Sequence, residues 1–147
     1  MLTPEAFGRR STTTDVPVAA VDDEATASID VTTETIDAYA ALTGDENPIH
    51  LDDAYATETM FGGRIAHGML GAGIVSAALA SLPGDIVYLD QDCSFEAPVR
   101  PGDTVEARAT VAEELGGDRL RVETVASVDG EPVIEGEATV LSLPHDS

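Results

Sequence analysis

The sequence predicts an α+β domain in which a curved antiparallel sheet closes around one long buried helix. Three observations predict it. Met69 to Leu82 is apolar or small throughout, with no charged side chain and no polar stripe, so a helix there has to be covered on every side. Beyond Asp85 the apolar positions recur with period two and are broken by turn residues, the pattern of strands joined in antiparallel order. Valine, alanine and glycine fill many of those strand positions, which leaves room for a helix against the sheet.

Taken in order, residues 1 to 25 are rich in Thr, Asp and Ala without a sustained period, and predict a poorly ordered acidic leader. Ala27 to Val31 is a short strand. Thr32 or Thr33 caps a helix with Ile36, Tyr39 and Ala40 on its apolar face; Gly44 closes it as a left-handed C-cap, and Pro48 prevents its resumption. Asp52 or Asp53 caps a short second helix through Ala54, Tyr55 and Ala56, and Phe61-Gly62-Gly63 is a loop. Met69 to Leu82 is the principal helix, ended by Pro83-Gly84. Ile86 to Val99 is extended and closed by the turn Pro98 to Asp103. In Thr104 to Ala112, Val105, Ala107, Ala109 and Val111 alternate with polar residues; Gly116-Gly117 then turns the chain into Arg119 to Val128. Asp129-Gly130 is a hairpin turn leading to the last strand, Val133 to Leu143. Residues 26–143 thus form a single domain with a short tail, 144–147. A sheet with one dry face and a helix that must be wrapped satisfy each other in the hot dog arrangement. Its open sheet edges favour a homodimer or higher homo-oligomer.

Charge narrows the function classes. Among 147 residues, 28 are acidic and 7 basic, all arginine, for a formal net charge of -21. Such a body repels phosphate backbones and anionic lipid, which excludes nucleic acid and membrane surfaces as partners. The single cysteine, Cys93, excludes an internal disulfide and a multi-cysteine metal site. Arg9-Arg10 is followed by Ser11-Thr12-Thr13-Thr14-Asp15 rather than an apolar run, so it does not read as an export signal and a cytoplasmic location is expected. Ile65 to Gly84 lacks charge but contains His67 and Pro83, and its apolar heart is helix length rather than membrane length.

Two places can carry chemistry. In Gly44-Asp45-Glu46-Asn47-Pro48-Ile49-His50, a carboxylate and an imidazole five positions apart lie up to ~17 Å apart if extended, but a stiff turn at Asn47-Pro48 faces them toward one another as an acid/base pair. The alternative makes Asp45 a turn residue and His50 a satisfied edge histidine. His67-Gly68 opens the buried helix, where unpaired N–H groups and the positive end of the dipole stabilise an oxygen gaining negative charge. His67 itself reads as structural. Ser76 lacks a Gly-x-Ser-x-Gly setting and is no nucleophile, and Cys93 reads as a strand residue. His50, His67 and nearby aspartates show no recognised ligand spacing, so no metal is expected; His145 has no role.

Leu42-Thr43-Gly44-Asp45-Glu46-Asn47-Pro48-Ile49-His50, followed by Phe61-Gly62-Gly63-Arg64-Ile65-Ala66-His67-Gly68-Met69, resembles the MaoC-like dehydratases, the group containing R-specific enoyl-CoA hydratases. Phe95 to Asp103 matches a later turn of that family, and the resemblance spans roughly Ala27 to Leu141. It implies the hot dog fold and reversible hydration of trans-2-enoyl-CoA to (R)-3-hydroxyacyl-CoA. It implies Asp45 and His50 as the catalytic pair, the Gly68 amide as oxyanion donor, Ser76 as an orienting group and Asn47 as the residue shaping the loop. No cofactor is implied, since coenzyme A is part of the acyl-CoA substrate. Arg64 and Arg100 adjoin these motifs and are candidates for the coenzyme A phosphates. Two other functions compete. A hot dog thioesterase commonly carries a carboxylate on or beside the central helix, and Met69 to Leu82 contains none. A non-catalytic acyl-CoA-binding subunit would need no Asp/His pair.

The missing lysines and the carboxylates spread along the chain also predict a salt-adapted, halophilic protein. At molar salt the Debye length falls to about 3 Å, and exposed carboxylates cease to repel one another. Unfolding titrated against potassium chloride is therefore expected to show stability rising from dilute to molar salt. Equal stability at both ends would contradict salt adaptation.

Overall fold

The structure, a computed structural model, describes residues 17–144. Its elements in chain order are β1 (Glu24–Asp30), α1 (Thr33–Thr43), α2 (Pro48–Leu51), α3 (Asp53–Thr57), α4 (Gly68–Ala80), β2 (Asp85–Phe95), β3 (Thr104–Gly116), β4 (Arg119–Val128) and β5 (Glu131–Leu143). One five-stranded sheet has the order β1-β3-β4-β5-β2 with every neighbouring pair antiparallel. Helix α4 packs against β1, β2, β3 and β4, which is the predicted hot dog arrangement.

The core follows the alternation of the strands. Val105, Ala107, Ala109 and Val111 of β3 and Leu120, Val122 and Ala126 of β4 are buried in one cluster with Leu70, Val75 and Leu79 of α4. Each fully buried aliphatic side chain stabilises the fold by roughly 1.5–3 kcal/mol, and the alanines let the helix axis approach the sheet. The β4–β5 turn is built on left-handed residues, Asp129 at φ 51° and Gly130 at φ 81°, the geometry a two-residue hairpin needs.

Four expectations are revised. Order begins earlier than residue 26: Ala19 is 0% exposed with its N–H on Ser142 Oγ at 2.9 Å, and Asp22 and Asp23 exchange main-chain bonds with Val111. This segment is held by backbone pairing, which hydrophobic periodicity does not register. The rest of the expected leader, and the end of the tail with His145, lie outside the described residues. Second, β2 is not a hairpin partner of β3. The intervening residues 96–103 contain Pro98 and Pro101, too long and too stiff for a tight turn, and the chain crosses from the β5 edge to the far side of β4. Third, α4 is not covered all round within one chain: Met69 is 61% exposed, and Gly73 and Ala77 are exposed along the same stripe. Five strands cover one side of the helix only. Fourth, Pro48 does not only stop α1; it opens α2 at its first turn, where a missing N–H costs nothing.

The crossing segment fixes the end of the molecule where α4 begins. Ala66 N–H donates to Val99 O at 2.7 Å, and Val31 exchanges main-chain bonds with Gly102 and Asp103 at 2.7 and 2.8 Å. The start of α4, the exit of β1 and the turn after β2 therefore form one rigid corner.

Candidate active site

The turn between α1 and α2 is folded by its own side chains. Gly44 closes α1 at φ 82°. Asp45 N–H then donates to Thr43 Oγ1, Asn47 N–H to Asp45 Oδ1, and Ile49 N–H to Asn47 Oδ1, at 3.2, 3.4 and 3.2 Å. His50 N–H closes the first turn of α2 on Asn47 O at 3.0 Å. The chain thus reverses between Asp45 and His50. One ligand-type atom from each of Asp45, His50 and His67 lies within 4.8 Å of the others.

The surroundings orient His50. Its Nδ1 is 2.8 Å from Ile65 O, and a carbonyl only accepts, so Nδ1 carries the hydrogen and Nε2 keeps its lone pair. Arg64 braces the same residue from behind: Nε donates to His50 O at 2.6 Å, while its other arm pairs with Asp37 Oδ1 at 2.7 Å. At 8% side-chain exposure, Arg64 is a strut under the turn rather than a ligand for a solvent-borne phosphate, which revises its expected role. Arg100 is exposed on the turn after β2, with its Nη1 beside Gly63.

Gly68 begins α4, and its cap residue His67 makes no side-chain hydrogen bond to the helix amides. A cavity of about 340 Å³ opens on His67 and Gly68, lined by Ile65, Leu70, Gly71, Phe95, Val105 and Ile134. Phe95 leans over the tip, so a Cβ at position 68 would stand 2.9 Å from its Cε1 and the ring would have to move aside to admit a larger residue. An apolar slot thus runs up to a set of helix-terminal amides.

A carboxylate and two imidazoles this close suggest a metal, but their geometry opposes one. The rings of His50 and His67 stack with centroids 3.9 Å apart and planes 27° from parallel. In-plane lone pairs of stacked rings do not converge on one ion at ~2 Å.

Ser76 lies two turns into α4, about 12 Å along the axis from Gly68. That sets it back from the helix start rather than beside the Asp45–His50 turn, and the Tyr88 hydroxyl of the neighbouring strand donates to Gln91 Oε1 at 2.7 Å. Burial, with a smaller push from Cys93, drives the Tyr88 hydroxyl up to about 12. Burial first and Asp92 second push the Cys93 thiol up, which leaves it a poor nucleophile, as a strand residue should be. Sequence reasoning missed the brace of Arg64 and the contacts of His67. The available signal for His67 was its type: a histidine stands at a helix N-cap, where Ser, Thr, Asp or Asn is favoured.

The hot dog fold, with a carboxylate and an imidazole turned toward the tip of its central helix, places the molecule among the MaoC-like proteins. The chain belongs to the MaoC like domain family, which it matches over residues 17–131. It is 45% identical over 114 residues to a 3-hydroxybutyryl-CoA dehydratase of Methylorubrum extorquens, covering 76% of this chain and 73% of that one. It is 47% identical over 106 residues to an (R)-specific enoyl-CoA hydratase of Rhodospirillum rubrum, covering 70% and 74%. Among solved structures, the unliganded R-hydratase PhaJ1 of Pseudomonas aeruginosa superposes with a TM-score of 0.80 at 35% identity, over 88% of each chain. The (R)-hydratase of Aeromonas caviae involved in PHA biosynthesis gives 0.78 at 33%, over 91% of this chain and 100% of that one.

Removing the strut leaves the His50 carbonyl and Asp37 without their shared donor. Arg64→Ala is expected to lower unfolding stability in urea by ~1–3 kcal/mol. Arg64→Lys should recover only part of it, because a point charge cannot serve two partners as a planar fork does. An unchanged midpoint in Arg64→Ala would contradict the brace.

Proposed function

We propose that the protein catalyses the reversible hydration of a trans-2-enoyl-CoA to an (R)-3-hydroxyacyl-CoA, with Asp45 and His50 activating one water molecule. The observation that carries this reading is the convergence of the Asp45 carboxylate and the His50 ring beside the tip of α4, where an apolar cavity ends. The hydratase and dehydratase names of relatives at 45% and 47% identity support it.

The chemistry follows from the groups present. The acyl chain enters the cavity, and the thioester carbonyl points at the Gly68 N–H, where the helix dipole favours developing negative charge. That pull makes C3 electrophilic. Water held between the Asp45 carboxylate and His50 Nε2 attacks C3 as one member of the pair takes its proton. The C2=C3 electron pair moves onto C2 and the carbonyl oxygen, and a proton is delivered to C2 from the same side. Hydroxyl at C3 and hydrogen at C2 together account for the water, so no cofactor is required. Asn47 serves by capping α2 and holding the turn. Arg100, exposed next in sequence to the cavity-lining Val99, is the remaining candidate for the coenzyme A phosphates. A cytoplasmic setting suits such a substrate; among the described residues, no helix is long and apolar enough to cross a membrane.

The exposed stripe Met69, Gly73 and Ala77 and the open edge of β2 support a homodimer that covers α4 from its second side. Ser76, half-buried on the helix, belongs to that assembly's interior in this reading. A thioesterase is disfavoured because α4 carries no carboxylate.

Crotonyl-CoA, followed by loss of its enone thioester absorbance, tests the proposal. Wild-type protein is expected to form 3-hydroxybutyryl-CoA with the thioester intact, whereas Asp45→Asn and His50→Gln should each lose roughly 10²–10⁴-fold in kcat while melting like the parent. Near-normal turnover in both variants would contradict the pair. Release of free coenzyme A would point to hydrolysis, and binding without turnover to a carrier subunit.

A further inference from the structure

His67 touches both members of the acid/base pair. Its ring is 3% exposed. Its Nε2 is 2.9 Å from the backbone oxygen of Asp45, so by the acceptor-only character of a carbonyl Nε2 carries the hydrogen. One face stacks on His50 at 3.9 Å. Tyr39 of α1 meets the ring at 4.7 Å and 52°. Its own main chain leads directly into Gly68. The one atom without a role is Nδ1, which is buried and has no hydrogen-bond partner among the described residues. A cap residue normally turns its side chain onto the helix amides; this one is turned away from them, onto the turn that carries Asp45 and His50.

An unpartnered buried acceptor is unfavourable, and a cap without a capping bond forgoes a further contribution. Both are retained together, in a residue that touches both members of the pair. A purely structural residue at this position would be served better by serine or aspartate, which satisfy the helix end. The histidine ring does two things these cannot. It spans from the helix start to the Asp45 carbonyl, and it offers an aromatic face to His50. When His50 takes up the proton of water, the adjacent ring face attracts the new imidazolium charge. The charged and titratable groups around the stack are Asp45 from the turn, Tyr39 from α1 and Arg64, which holds the His50 carbonyl and Asp37.

We propose that His67 is a positioning residue for the hydration reaction: its Nε2–H tethers the main chain of Asp45 to the tip of α4, and its ring is the platform on which His50 changes protonation state. The inference rests on Asp45 and His50 being the acid/base pair, and its test separates the two.

His67→Gln keeps an N–H able to reach the Asp45 carbonyl but removes the ring; His67→Phe keeps the ring and removes the donor. Each is expected to lower kcat on crotonyl-CoA by about tenfold or more with KM changed less than about threefold, and His67→Ala to lose more than either, the pattern of lost transition-state positioning. Introduced into His50→Gln, His67→Gln should cost less than about twofold, because the ring it removes acts through His50. Full kcat in the single variants, a rise confined to KM, or losses that add in the double variant would each overturn the proposal. If the His50→Gln parent itself turns over normally, the pair fails first, and with it the premise. A second measurement needs no substitution. Long-range ¹H–¹⁵N correlation of the wild-type histidine rings should find His67 protonated at Nε2 and His50 at Nδ1; a His67 proton on Nδ1 would contradict the tether.

Discussion

Three side chains reaching main-chain carbonyls hold the site together. His67 Nε2 meets the carbonyl of Asp45, His50 Nδ1 that of Ile65, and Arg64 Nε that of His50. Each bond joins the turn after α1 to the segment that runs into α4. A carboxylate and an imidazole five residues apart are thereby fixed at a separation that loop conformations alone would sample only part of the time. Backbone carbonyls have no alternative protonation state, so these bonds also dictate which nitrogen of each ring bears a hydrogen.

The rest of the fold provides the anchor. Helix α4 is held by aliphatic burial along one side, and its start is fastened to the turn after β2 through Ala66 and Val99. Because the helix cannot shift without opening the core, its first amides point at a constant place. That constancy gives the dipole and the N–H of Gly68 their chemical use: an oxyanion site works by being in position before charge develops. The cavity next to it is lined by side chains from α4, β2, β3 and β5, so the sheet that buries the helix also shapes the slot.

Much of this was legible in the residues themselves. Alternation located β3, β4 and β5; the caps were visible by type, Gly44 outright and the others as Thr32 or Thr33 and Asp52 or Asp53, of which the structure uses Thr32 and Asp52; and the Asp45–His50 turn stood out because proline and asparagine leave it few conformations. What stayed hidden has common causes. Strand order was hidden because a crossing connection and a hairpin leave similar local signals, and only Pro98 and Pro101 hinted at the difference. The packing of residues 17–25 was hidden because it relies on backbone bonds to β3 and to Ser142. Arg64 and His67 were visible as types, but their work is done through carbonyls, and a carbonyl has no signature in a sequence. Ser76 illustrates the converse: the resemblance named it, yet within one chain it stands two turns along α4 from the Asp45–His50 turn.

Everything proposed about the reaction requires hydroxyl and hydrogen to arrive from one side, where the carboxylate and both rings stand. Hydration of crotonyl-CoA in D₂O, with the configuration at C2 and C3 read from proton coupling constants, measures that directly. Deuterium at C2 on the same face as the new C3 hydroxyl is the predicted result. Deuterium on the opposite face, or an equal mixture of both, would contradict a single water handled by Asp45 and His50.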